Sequence, residues 1–125
     1  MVIRGCVSDR IEATLEIDVA ASPRHSSRRV QLAIDTGFNG HLTLPHEAIE
    51  SLQLPFAGLR EGLLADGNSI LLDTFFATVI WHGRARDIVV SQANARPLLG
   101  MSLLQGSRLT IDVTPNGDLE IEELP

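Results

Sequence analysis

A chain of 125 residues with 16 acidic and 10 basic side chains, a formal net charge of −6 and only 4% aromatic residues is poorly suited to nucleic acid, which calls for basic surfaces and stacking rings. At this length one hydrophobic core is the limit, so residues 1–125 read as a single domain. Cys6 is alone, which excludes an intrachain disulfide and a cysteine-based zinc cluster and suits a reducing compartment, with the thiol buried or at a sheet edge. Arg4, Asp9, Arg10, Glu12, Glu16 and Asp18 break up any apolar run that a signal peptide or membrane helix would need, so the expectation is a soluble, cytoplasmic protein with no membrane partner.

In chain order, Ile11 to Val19 alternates, with Ile11, Ala13, Leu15, Ile17 and Val19 on one face, the pattern of a half-buried strand. Ala20 to Arg29, with Pro23 and the Arg24, Arg28, Arg29 cluster, reads as a solvated loop. Val30, Leu32 and Ile34 then alternate again, so the two strands form a long hairpin that delivers Asp35 into Thr36-Gly37-Phe38-Asn39-Gly40. Gly37 and Gly40 are free to take positive φ and to admit close backbone approach, and the Thr36 hydroxyl can bond the adjoining main chain. Leu42 to Leu44 is a short strand stopped by Pro45, and Ala48, Ile49 and Leu52 give His46 to Leu52 a helical spacing that ends before Pro55.

From Leu59 the pattern is β again, and Asp66-Gly67 is the pair that a two-residue type I′ hairpin turn requires. Thr74 to Trp81 and Ala85 to Val90 form another hairpin around His82-Gly83-Arg84, with Phe75, Phe76 and Trp81 in the core or a dimer contact. Leu98-Leu99-Gly100 follows Pro97 and opens a turn or two of helix from Met101 to Leu104, closed by Gly106. Leu109 to Val113, a turn at Pro115-Asn116-Gly117 and Leu119 to Glu122 complete the chain. The pattern predicts an all-β, mostly antiparallel, closed sheet with one or two short helices.

An apolar strand, then Asp35-Thr36-Gly37, then a small-residue turn and a second strand resembles the active-site loop of retroviral-type (retropepsin-like) aspartic proteases. Phe38 to Pro45 is similar to the bacterial single-domain branch, although Phe38 stands where retroviral and pepsin-like members usually carry Ala or Ser. Pro97 to Leu104 resembles the apolar-apolar-Gly step that in this family passes behind the aspartate loop and opens a short helix. The resemblance implies an acid-protease-like β-barrel with one lobe per chain and a catalytic Asp35. It also implies that Thr36 ties two such loops together and that Gly37 lets a substrate backbone lie close. A flap at Ala65, Asp66, Gly67, Asn68 and Ser69 would cover a bound peptide.

Aspartic proteolysis needs two carboxylates sharing one proton: one draws a proton from the attacking water while the other hydrogen-bonds the scissile carbonyl. No second Asp-Thr-Gly occurs here; Asp73-Thr74 runs into Phe75, and Asp66-Gly67 lacks the threonine. A catalytic form must therefore be a homodimer that contributes Asp35 twice, acting as an endopeptidase on a peptide or protein substrate without a cofactor. Two other classes fit the same chain. One is a non-catalytic dimerising or peptide-binding module on the same fold. The other is a metal enzyme drawing on His41, His46 and Glu47, whose spacing matches no zinc pattern, so no metal is expected.

Overall fold

The computed structural model describes residues 2–64 and 66–125, so Ala65, one of the expected flap residues, lies outside the described residues. The elements are β1 (Val2–Val7), β2 (Ala13–Ala20), β3 (Arg28–Ile34), β4 (Leu42–Leu44), α1 (His46–Leu52), β5 (Phe56–Leu63), β6 (Ser69–Trp81), β7 (Arg84–Gln92), β8 (Leu98–Leu99), α2 (Met101–Leu104), β9 (Ser107–Ile111) and β10 (Asp118–Glu123). The described strands share one sheet, which bends until β2 meets β6 as well as β3, with Val19 opposite Val79 and Ala20 opposite Thr78. That contact closes a ring in the order β2, β3, β8, β4, β7, β6. Among the described residues only the β3–β8 and β4–β7 pairings are parallel, so the expected mostly antiparallel all-β architecture is the one found.

Alternation explains what fills the ring. Leu15, Ile17 and Val19 of β2, Leu32 of β3, Ala77, Val79 and Trp81 of β6, and Ile88 and Val90 of β7 point into one core. Burying each large aliphatic or aromatic side chain contributes about 1.5–3 kcal/mol. The three short segments β4, β8 and α2 add Leu42, Leu44, Leu99 and Leu103, all with no exposure, which is why these runs are apolar without alternation.

Several local expectations change. β2 begins at Ala13, because Ser8 to Glu12 forms its own turn: Ile11 N–H donates to Ser8 O at 2.9 Å, and Ile11 adopts φ 58°. β1 has no clean alternation and was not foreseen; it is held between β10 and β2. Cys6 is consequently exposed on an interior strand, neither buried nor at an edge. The two-residue turn with both central φ positive is His82-Gly83 (51° and 75°), joining Trp81 to Arg84. At Asp66-Gly67 the loop is one residue longer: Leu64 N–H donates to Asn68 O at 2.7 Å, Gly67 N–H donates to Leu64 O at 3.0 Å, and Gly67 takes φ 89° at the end of the turn.

β6 serves two hairpins. From Thr74 to Trp81 it pairs with β7 in the ring, whereas from Ser69 to Asp73 its partner is β5 alone, so the outer part of β5–β6 stands off the ring as a two-stranded ribbon. At the ribbon's base the register shifts between Phe56 and Gly58, and Thr74, 1% exposed, donates its hydroxyl to Gly58 O at 2.8 Å. Thr74→Val keeps the shape but removes that hydrogen bond, which costs about 0.5–1.5 kcal/mol. Chemical denaturation of the variant is expected to show a lowered midpoint with an unchanged slope.

Candidate active site

Asp35 follows the last residue of β3. That strand end is held by β8 running parallel beside it: Ala33 N–H donates to Pro97 O at 3.0 Å and Asp35 N–H to Leu99 O at 2.9 Å. The chain then turns at once, with Phe38 N–H donating to Asp35 O at 3.1 Å. The half-buried carboxylate accepts the Gly37 N–H on Oδ1 at 2.9 Å, a local turn that fixes the side chain relative to its own backbone. Among the described residues Oδ2 has no hydrogen-bond partner.

The glycines act by size, not by the positive φ expected of them: neither Gly37 nor Gly40 has φ in the left-handed region. A Cβ on Gly37 would stand 3.2 Å from Asp35 Oδ1. A Cβ on Gly40 would stand 2.5 Å from the Phe38 ring, and one on Gly100 would stand 2.4 Å from Gly40 O and 2.5 Å from the same ring. Phe38 therefore folds over Gly40 and against Gly100, a buttress between the aspartate loop and the start of α2. Sequence reading did not assign this role; the signal available was a bulky ring two residues before one glycine, with a second glycine ahead of a short helix.

The same junction satisfies the backbone. A helix leaves its first N–H groups without internal partners. Here Gly100 N–H donates to His41 O at 2.9 Å, Met101 N–H to Phe38 O at 2.8 Å and Ser102 N–H to Gly40 O at 3.1 Å, and the Ser102 hydroxyl donates to Asn39 O. At the other end of α2, the Arg86 guanidinium reaches Ser102 O at 3.2 Å and Leu103 O at 3.4 Å. The loop that carries Asp35 is thus tied to α2, and α2 to β7.

Of the residues expected from the sequence, Asp35, Thr36 and Gly37 come together in this turn, with Thr36 and Gly37 exposed. Asp66, Gly67, Asn68 and Ser69 lie exposed at the ribbon tip, where Asp66 accepts the Asn68 backbone N–H at 2.9 Å. Among the described residues no three His, Cys, Asp or Glu side chains converge, and His46 lies 3.4 Å from Glu50, one helical turn on. Among the described residues no helix is long and apolar enough to cross a membrane.

The backbone is similar to the crystal structure of a retropepsin-like aspartic protease from Rickettsia conorii, with a TM-score of 0.62 over 96% of this chain and 90% of that one. The fold is retropepsin-like. Sequence identity in that comparison is 16%, so the likeness concerns the fold. No protein-family model matches the chain, and no curated protein matches it by sequence.

Two predictions follow from the packing and charge around the site. Gly100→Ala forces its methyl group into Gly40 O and the Phe38 ring, with an expected stability loss of about 1–3 kcal/mol in denaturant unfolding. Burial pushes the His41 imidazole below its ordinary value of 6.5, and the Arg86 and Arg60 charges push it further; for His82, burial outweighs the opposing pull of Glu123. With both folded values depressed, the unfolded chain binds more protons just below pH 6.5, so stability present above that value is lost as pH falls towards the folded values. Thermal melts between pH 7 and pH 5 are expected to show this loss, and a His41→Gln/His82→Asn variant a flatter profile.

Proposed function

We propose that this chain is an aspartic endopeptidase of the bacterial single-domain retropepsin-like branch, working as a homodimer in the cytoplasm. Asp35 of each copy supplies one carboxylate of a pair. Two carboxylates roughly 3 Å apart cannot both be ionised, so the pair holds one shared proton and titrates as a unit. The ionised member takes a proton from water as it attacks the peptide carbonyl; the protonated member donates to the carbonyl oxygen as charge develops there. The observation that carries this reading is the Asp35 turn itself: a carboxylate with one oxygen fixed by Gly37 N–H and the other uncommitted, at the end of a ring strand braced by α2.

The roles of the remaining residues are those that the family resemblance implies. Thr36, exposed beside the carboxylate, meets its counterpart across the two-fold axis, and Gly37 leaves room for an extended substrate backbone. The β5–β6 ribbon, with Asp66 to Ser69 at its tip, is the flap that covers the peptide and excludes water. The single Cys6 suits a reducing interior.

The test is cleavage of a diverse peptide library, read by mass spectrometry from acid to neutral pH, with wild type beside Asp35→Asn. Asparagine still offers an oxygen to Gly37 N–H, so the variant is expected to keep its melting temperature while its turnover falls by about 10²-fold or more. Peptide binding without cleavage by a folded wild-type dimer would replace the enzyme with a non-catalytic peptide-binding module.

A further inference from the structure

Trp81 stands opposite Arg84 in the β6–β7 hairpin, and Arg86, two residues further along β7, shares their face. Between Trp81 and Arg84 lies the tight turn at His82-Gly83, and the His82 imidazole reaches from it to β9, with Nε2 2.8 Å from the Ser107 hydroxyl. Ser107 is in turn paired opposite Glu123, at the end of β10. These side chains, with Gln105 just after α2, wall a cavity of about 380 Å³. Small-molecule sites span about 300–1,000 Å³.

Two groups in this wall lack what burial demands. Trp81 is 4% and His82 7% exposed, yet neither the indole Nε1 nor the imidazole Nδ1 has a hydrogen-bond partner among the described residues. Buried polar groups are nearly always paired, and an indole nitrogen can only donate. With the Ser107 hydroxyl donating to His82 Nε2, the ring proton lies on Nδ1, so the two residues hold two N–H donors without an acceptor. Their ring centroids are 5.2 Å apart, which places both donors in one part of the wall.

The charges around them select the kind of acceptor. Arg84 donates to both carboxylate oxygens of Glu123, so that pair is neutral as a unit. Arg86 has no carboxylate partner among the described residues; its guanidinium donates to Ser102 O at 3.2 Å and Leu103 O at 3.4 Å. The cavity therefore carries one uncompensated positive charge beside two unused donors, which suits a planar monoanion with two acceptor oxygens. A phosphate dianion brings a second negative charge against Glu123. Ala85, Leu124 and the Trp81 ring give a short organic group on the anion an apolar surface.

We infer that this cavity is a binding site for a small monocarboxylate, with Trp81 Nε1 and His82 Nδ1 donating to its oxygens and Arg86 balancing its charge. The carboxyl end of a peptide belongs to this class of ligand. Asp35 is not among the lining residues, and the inference does not depend on reading Asp35 as catalytic. Arg86 connects the site to α2, so an occupant sits at the opposite end of the helix that braces the aspartate loop.

Trp81 is the single tryptophan of the chain, so its indole gives one N–H signal in a proton–nitrogen correlation spectrum and reports on this site alone. Titration of the full chain with N-acetylglycine is expected to move that signal downfield and to saturate. Its neutral counterpart N-acetylglycinamide, and sodium chloride at equal ionic strength, are expected to leave it in place. Glu123→Gln, at an exposed position, removes the opposing charge and is expected to tighten binding roughly threefold; Arg84→Gln, also exposed, leaves Glu123 unpaired and is expected to weaken it roughly tenfold. An indole signal that N-acetylglycine does not move overturns the inference, as does one that the amide or the salt moves equally. Binding indifferent to both substitutions overturns the charge assignment and with it the choice of a carboxylate. Each of these outcomes leaves the protease reading where it stands.

Discussion

Three backbone hydrogen bonds, from the N–H groups of Gly100, Met101 and Ser102 to the carbonyls of His41, Phe38 and Gly40, hold the aspartate loop to the first turn of α2. Each side solves the other's problem. A four-residue helix is too short to offset its own unpaired donors, and a loop rich in glycine loses conformational entropy on becoming ordered. Joined, the donors find acceptors and the loop gains a fixed geometry. Phe38 fills the space between them, which no side chain on Gly40 or Gly100 could share. The position of Asp35 then follows, because its N–H is bound to Leu99, one residue before that junction.

What could be read from the sequence was what local chemistry determines. Alternation located β2, β3 and β10, helical spacing located α1 between Pro45 and Pro55, and the Asp35-Thr36-Gly37 turn was visible as a strand ending in small residues. The places where reading failed are settled by contacts between distant segments. β1 owes its extended form to β10 and β2, and Gly5 is explained only by the Thr14 carbonyl that a Cβ would meet at 2.2 Å. Asp66-Gly67 and His82-Gly83 are both pairs that suit a two-residue turn, and only the second uses one; the first takes an extra residue that no local pattern marks. Phe38 was the same kind of case. Its apparent misfit beside the aspartate disappears once Gly100, far along the chain, is brought beneath its ring.

The molecule is also uneven in how firmly its parts are held. Core positions such as Val19, Val79, Val90 and Leu99 have no exposure, while Leu59, Leu63 and Leu71 on the β5–β6 ribbon are 59%, 80% and 69% exposed. Those three residues share one face, since Leu59 pairs opposite Asp73, Leu63 opposite Ser69, and Glu61 between them opposite Leu71. They share that face with Glu61, Ser69 and Asp73, and a two-stranded ribbon has little of its own for exposed leucines to pack against. Such an element draws its order from the ring at its base and leaves its outer part at the low-stability end of the molecule.

The pairing of β1 with β10 has a kinetic meaning. The first strand of the sheet finds its longer pairing only in the last, so nearly the whole of this sequence must be synthesised before the sheet can be completed. Until then β1 has β2 on one side and an open row of hydrogen-bonding groups on the other. Contacts between such distant segments slow folding, because the entropy of closing the chain is lost before the contact is gained. The short β1–β2 turn, set by the Ile11 and Ser8 hydrogen bond, is local and forms early. That turn fixes the register of β1 against β2, while the row of groups that β10 later covers is the part open to a foreign strand in the meantime.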